Sequence, residues 1–528
     1  MSSRGIFLIP VLVLAAAVAV TGFMSVSRTE YATGWDGYYY LVQIKSLEIE
    51  GEMHSPEYSL IYLPLMFFKL LTGDYLAAYR ITAVLVKVLF VLSVYALSLA
   101  LLKPVCRDRR GIRWTALATA AASAASPALN YFFTQFPKNL LGFSLLFFLA
   151  ASLVAERGRW RTRGFSWRGA AASALLFLAA FFTHRFSAVL SLLFLLLYLG
   201  PAVLGNLYQK VSRGGRGSFP KILAAVLLLL TGVLFLSNRL PLAPSLSDLE
   251  RVTPDLSSSP VFVPGAFAST FGSFRLSGLW QAEIWAGGAL LLVTLMLLPW
   301  KKLQFLRLGG GYYSVLVLSL TGLFPFFRFH LMGISHRLYF GTMLMMPLVL
   351  LPWIRAVTAW MTRRFPTAIA GAAVPIILLA ASVLTYGSYD PEIHDPPYEY
   401  YQELSDDIME VLEGVDHELI VAHKALAEVI TFRHMEDALP WSPEERFQRD
   451  RVWRVTAGVM RLEARYYLGP AAADSLFFRL RGDYGLMRED AWEDFLMAVS
   501  SDPVMVEALD SWRNPMEVRP VYLTGETR

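Results

Sequence analysis

Runs of about twenty apolar residues recur through the first three quarters of this chain, and they limit its fold more than any other feature. A helix of that length spans the hydrocarbon core of a bilayer, roughly 30 Å. Inside a bilayer every backbone N–H and C=O must be satisfied within the protein, which leaves helices or a closed barrel. The runs are continuous rather than alternating, and that selects helices. Apolar length places spans near 5–24, 76–102, 113–130, 139–155, 168–183, 186–204, 221–237, 279–299, 312–327, 338–354 and 367–386. With 528 residues that are 55% hydrophobic, the expected fold class is an α-helical polytopic membrane protein. It has about eleven transmembrane helices and a C-terminal extracytoplasmic α or α/β domain.

Charge orders these spans. Residues 387–528 carry a net charge of −15 and residues 1–386 a net of +20. The cations of the first part sit in short loops: five in Lys103–Arg113, five in Glu156–Arg168 and four in Gly205–Lys221. Such loops alternate with poorer ones, so the positive-inside rule puts the N-terminus in the cytoplasm and the C-terminal domain outside, in a plasma membrane or bacterial inner membrane. Topology thus accounts for the basic balance, and nucleic acid is not an expected partner. The single cysteine, Cys106, excludes an intrachain disulfide.

The expected domains are 1–386, the transmembrane part, and 387–528, a soluble acidic domain reached through Asp395-Pro396-Pro397. The first apolar run reaches Met24 without a small-residue cleavage site, and reads as an uncleaved anchor. The first external loop covers 25–75, and its stretch Tyr58–Leu71, which holds Pro64 and Lys69, reads as an interfacial helix. A second external loop, 238–278, contains five prolines and suits a lid. In the C-terminal domain Leu404, Ile408, Val411 and Leu412 follow helical spacing, Leu419–Ala422 reads as a buried strand, and the remainder reads as mainly helical.

Two groups of residues could carry chemistry. The first is Asp36, in Gly34-Trp35-Asp36-Gly37-Tyr38-Tyr39-Tyr40, shortly after the first span. A carboxylate at the membrane edge can be partly desolvated and so made more basic, as proton abstraction requires. Residue chemistry by itself favours the plainer role, the cap of a helix starting at Gly37. Tyr38 and Tyr39 beside it suit the interfacial belt and are candidate substrate contacts.

The second group is cationic, on the side where cations should be scarce: Lys138, His184, Arg185, Arg328, His330, His336 and Arg337. Such groups could hold a phosphate and stabilise charge on a leaving group, or snorkel to lipid headgroups. The histidines lack zinc spacing, and no metal or cofactor is expected. Lys87 and Glu283 lie in apolar runs, where ionisable groups face a polar interior, but neither has a partner legible in the sequence.

The anchor, Asp36 in Trp-Asp-Gly-Tyr-Tyr-Tyr-Leu and an amphipathic stretch before the second span resemble the GT-C superfamily of membrane glycosyltransferases. That group includes the protein O-mannosyltransferases, the aminoarabinose transferases and the oligosaccharyltransferase catalytic subunits. The resemblance implies transfer of a sugar, hexosyl or pentosyl, from a polyprenyl phosphate or diphosphate donor to a glycan, lipid or protein acceptor at the outer face. It makes Asp36 the base, and Lys138, Arg185, Arg328 and Arg337 the residues that hold the donor phosphate. The chain departs from the pattern in three places. Gly37 follows Asp36 where many relatives have Asp-Glu, Asn130–Asn139 contains no acid, and the C-terminal part lacks a Trp-Trp-Asp signature. A transporter or flippase of a lipid-linked or anionic substrate would use the same cations for binding alone.

Overall fold

The structure, a computed structural model, describes residues 8–49, 51, 53–54, 59–106, 108–163, 166–212, 278–297, 308–320, 334–365, 367–412, 419–434, 479–480, 484–487 and 518–522. The expected span 221–237 and the loop 238–278, except its last residue, lie outside the described residues. By contact density the chain divides into two compact units. The first comprises 1–28, 58–63 and 80–390, and the second 29–57, 64–79 and 391–528.

The first unit is helical. Among the described residues four helices are long and apolar enough to cross a membrane: Leu8–Val26, Tyr75–Leu102, Pro137–Gly158 and Gly341–Arg364. Shorter apolar helices include Trp167–Thr183, Phe186–Pro201, Trp285–Leu297 and Ala373–Val383. Helix Leu8–Val26 shows what surrounds them. It buries Leu14, Val18, Gly22 and Ser25 against the protein, while Leu12, Val13, Val20 and Phe23 on its other face remain exposed. A helix apolar on both faces yet covered on only one needs a non-aqueous neighbour, and the chain is a multi-pass membrane protein on that ground.

One expected span is two helices. The region 113–130 divides between Arg109–Ala124 and Pro127–Gln135. Ser126 sits between them and its side chain accepts from Leu129 N, with Pro127 at the first helical position. Serine followed by proline starts a helix, because proline lacks the N–H that would go unsatisfied there. Apolar length alone hid this signal. All nine residues of helix Pro127–Gln135 are buried.

That short helix gathers the polar groups of the first unit. Lys87 is only 1% exposed, and its Nζ donates to Asn130 Oδ1 at 2.7 Å and lies 4.2 Å from the centre of the Phe133 ring. Asn130 Nδ2 in turn donates to the Thr385 carbonyl at 3.0 Å and hydroxyl at 3.2 Å. Gly22 gives the lysine stem room, since a Cβ there would stand 3.3 Å from Lys87 Cδ. The Arg28 guanidinium, following helix Leu8–Val26, donates to the Tyr389 carbonyl at 2.8 Å and faces the Tyr386 ring.

The second unit combines the first external loop with the C-terminal segment. Helices Gly37–Ile49 and Tyr398–Leu412 belong to it, as does Lys424–Arg433, and the strands form an antiparallel sheet of order β2-β3-β1-β4. These are β1 Leu419–His423, β2 Arg479–Leu480, β3 Tyr484–Met487 and β4 Val518–Tyr522. Leu419 pairs with Met487 on one side and Tyr522 on the other. The strand expected at 419–422 is therefore a central one, and its neighbours come from the stretch expected to be mainly helical. Those neighbours are short, and β4 contains Pro520, so they carry little strand signal of their own.

Helix Tyr62–Thr72 covers most of the stretch read as interfacial. Leu63, Phe67, Leu70 and Leu71 are its exposed apolar side chains and share one face, while Lys69 turns to Glu48 at 2.5 Å.

Removing Asn130 should expose how much the buried lysine depends on it. Asn130→Ala is expected to destabilise the detergent-purified protein by about 2 kcal/mol, and Lys87→Met in that background to recover part of the loss. Thermal unfolding of both variants checks this; an Asn130→Ala protein that melts with wild type contradicts the network.

Candidate active site

Asp36 stands at the end of a turn whose shape its two glycines make possible. Gly34 has φ +86°, a backbone conformation that a side chain disfavours. Gly37 N donates to the Gly34 carbonyl at 3.1 Å and closes the turn. A Cβ on Gly37 would stand 2.6 Å from the Ala32 carbonyl oxygen, so no larger residue fits without moving the backbone. This is a physical reason for glycine at the position after the acid. The Asp36 carbonyl accepts from Tyr40 N at 3.2 Å, so Asp36 occupies the position before helix Gly37–Ile49 that the capping role requires. The residue is half-buried.

Tyrosines lock the turn. The Tyr398 hydroxyl donates to the Gly34 carbonyl at 2.8 Å, and the Tyr79 hydroxyl donates to the Thr33 carbonyl at 2.5 Å. The Tyr398 ring packs on Tyr38 at 4.8 Å and on Tyr31 at 5.3 Å. Gln402 Nε2 then donates to the Tyr38 hydroxyl at 2.7 Å. Tyr39 makes an edge contact with Tyr40 at 5.9 Å. Burial holds the Tyr398 hydroxyl well above its ordinary pKa, and Glu428, Asp395, Tyr79 and Asp36 push in the same direction. Burial likewise pushes Tyr38 up to about 12, against the opposing pull of Arg433 and Gln402. Both phenols stay protonated at neutral pH, which Tyr398 needs in order to donate.

The cations fall in the first unit, and the structure describes them unequally. Lys138 is the second residue of helix Pro137–Arg163 and is half-buried. His184 links helices Trp167–Thr183 and Arg185–Ser212: its Nδ1 accepts from Phe186 N at 3.2 Å, and its carbonyl accepts from the Ser187 hydroxyl at 2.8 Å. An acceptor Nδ1 puts the ring proton of neutral His184 on Nε2. Arg185 begins the next helix, and its side chain lies outside the described residues. Arg328 and His330 lie outside them altogether, as do the side chains of His336 and Arg337 in helix Ile334–Val349.

Two residues that the sequence marked only as ionisable groups in apolar runs acquire partners. Besides the Lys87–Asn130 bond, the Glu283 carboxylate accepts from Ser126 Oγ at 2.5 Å and from Ala128 N at 2.9 Å. It thereby meets the N-terminus of helix Pro127–Gln135, where a negative charge is favoured. The partners lie 43 residues from Lys87 and more than 150 from Glu283, beyond any local pattern.

The second unit also holds a cavity of about 410 Å³. It is walled by residues of the first loop, of 73–76 and of the C-terminal segment, among them Tyr31, Tyr38, Tyr75, Gln402, Phe432 and Arg433. Asp36 is not among its lining residues.

No protein-family model matches the chain, and no curated protein matches its sequence. Solved structures do. The chain is similar to the apo oligosaccharyltransferase of Archaeoglobus fulgidus, at 12% identity and a TM-score of 0.47, over 78% of this chain and 58% of that one. It spans little more than half the length of that protein. It is also similar to ArnT from Cupriavidus metallidurans, at 12% identity and a TM-score of 0.44 in the apo state, over 90% of this chain and 97% of that one. ArnT bound to undecaprenyl phosphate matches at 13% identity with the same score and coverage. These are GT-C glycosyltransferases.

The turn makes a sharp expectation. Tyr398→Phe and Gly37→Ala should each lower stability by about 1–3 kcal/mol, the first by removing one of the two donors to the buried Gly34 carbonyl and the second by forcing Ala32 to move. Chemical or thermal unfolding measures both, and variants within error of wild type contradict the described turn.

Proposed function

We propose that the protein is a glycosyltransferase that moves a sugar from a polyprenyl phosphate or diphosphate donor to an acceptor at the outer face of the membrane, with Asp36 as the catalytic base. The observation that carries the reading is the placement of Asp36: half-buried, in a turn that glycines shape and tyrosines lock, shortly after the membrane helix Leu8–Val26. A base held this way loses little freedom on binding substrate, which favours orientation.

In this scheme the Asp36 carboxylate accepts the proton of an acceptor hydroxyl or amine. The freed electron pair forms a bond to the anomeric carbon, on the face opposite the leaving group, and the configuration inverts. The anomeric carbon–oxygen bond to phosphate breaks and its electron pair departs on the lipid phosphate. Lys138, Arg185, Arg328 and Arg337 stabilise that anion, so no proton needs to reach the leaving oxygen. His184, through Nε2, His330 and His336 add donors to the same phosphate, and Tyr38 and Tyr39 flank the base.

The topology that serves this chemistry has about eleven spans, a cytoplasmic N-terminus, and residues 387–528 as the external domain of a bacterial inner membrane or plasma membrane protein. The acidic charge of that domain keeps it soluble and disfavours anionic partners.

Asp36→Asn keeps the volume of the side chain and removes its basicity. Turnover with a polyprenyl-phosphate-linked sugar is expected to fall by about 10²–10⁴-fold, with the melting temperature close to that of wild type. A folded Asn variant that retains near wild-type turnover shows that Asp36 is not the base.

A further inference from the structure

The cavity in the second unit does not contain Asp36, and of the residues with a part in the proposed chemistry only Tyr38 lines it. Its walls are specific in character. Aromatic side chains, Tyr31, Tyr38, Tyr75 and Phe432, supply apolar surface, and Phe432 stands edge-on to Tyr38 at 5.7 Å and to Tyr75 at 5.8 Å. Polar groups of both signs interrupt that surface: the Asp74 and Glu30 carboxylates, the Gln402 amide and the Arg433 guanidinium.

Asp74, Gln402 and Arg433 are fixed in place by their own bonds. Asp74 Oδ1 accepts from Ala77 N at 2.9 Å at the start of helix Tyr75–Leu102. Gln402 is held to the Tyr38 hydroxyl, and Arg433 forms a forked pair with Asp406 at 2.7 and 2.6 Å. Lys69 and Glu48, paired at 2.5 Å, buttress Tyr75, whose hydroxyl donates to Glu48 at 2.7 Å. A pocket so braced loses little freedom when a ligand enters.

A ligand with a strong net charge of either sign would meet like charge in this wall, and a lipid tail would leave unmet the donors and acceptors that these groups do not already use within the protein. A neutral sugar ring satisfies both demands, because its C–H faces lie on aromatic rings while its hydroxyls donate to carboxylates and accept from amide and guanidinium. The volume admits a disaccharide. We propose that this cavity is a binding site for a neutral glycan, separate from the base. Its sense as an acceptor-holding site rests on the transferase reading; binding itself does not.

The test is saturation-transfer NMR on the full chain in a detergent without a sugar headgroup, with maltose, cellobiose and mannobiose as probes. At least one disaccharide should receive saturation. Leu76→Trp, which fills the cavity, should abolish the signal, and Gln402→Leu should weaken affinity roughly tenfold by removing one hydrogen-bonding group. Transfer to none of the three sugars overturns the inference, and so does wild-type binding by both variants. Asp36→Asn should bind as wild type does. If that variant also transfers sugar normally, the base assignment fails while the glycan site stands.

Discussion

A bilayer offers no water to a buried polar group, and the first unit is organised around that constraint. Lys87 cannot lie in an apolar helix without an acceptor, and Asn130 provides one at 2.7 Å. Asn130 can do so because the chain breaks at Ala125–Ser126 and restarts as a short, wholly buried helix. The restart in turn needs its exposed N-terminal groups met, and Glu283 meets them from a helix far along the chain. Lys87, Asn130, Ser126 and Glu283 thus fix one another's elements, and together they tie distant helices to Pro127–Gln135.

The second unit solves a different problem, that of holding a tight turn still. The backbone carbonyls of Thr33 and Gly34 each accept from a buried phenol, Gly34 in addition to its bond from Gly37 N. Those phenols must keep their protons to donate, and burial assures this for Tyr398. Rigidity around Asp36 therefore comes from residues that have no part in the proposed proton transfer. The same aromatic packing that locks the turn continues through Tyr38 and Phe432 into the wall of the cavity.

What was legible in the sequence followed locality. Apolar length found apolar helices, four of them long enough to cross a membrane among the described residues, because hydrophobicity is a property of each stretch by itself. Asp36 and its glycines were legible as a turn, since φ and steric demands act over neighbouring residues. The lock on that turn was not, because Tyr398 lies 364 residues from Gly34 and carries no mark beyond its type. The break at Ser126 was readable from Ser-Pro but was overridden by hydrophobicity, which is blind to capping. The partners of β1 were hidden for the opposite reason: short strands lack the alternation that would reveal them, and only pairing defines them.

The central proposal is that Asp36 is the base for a sugar whose donor phosphate is held by Lys138, Arg185, Arg328 and Arg337. The measurement that reaches it most directly is a cryo-EM structure of the full chain with undecaprenyl phosphate bound. The account predicts the phosphate in contact with Lys138 and Arg337, with the Asp36 carboxylate one sugar ring away across the site. A phosphate bound away from those cations, with Asp36 turned from it, would contradict the account.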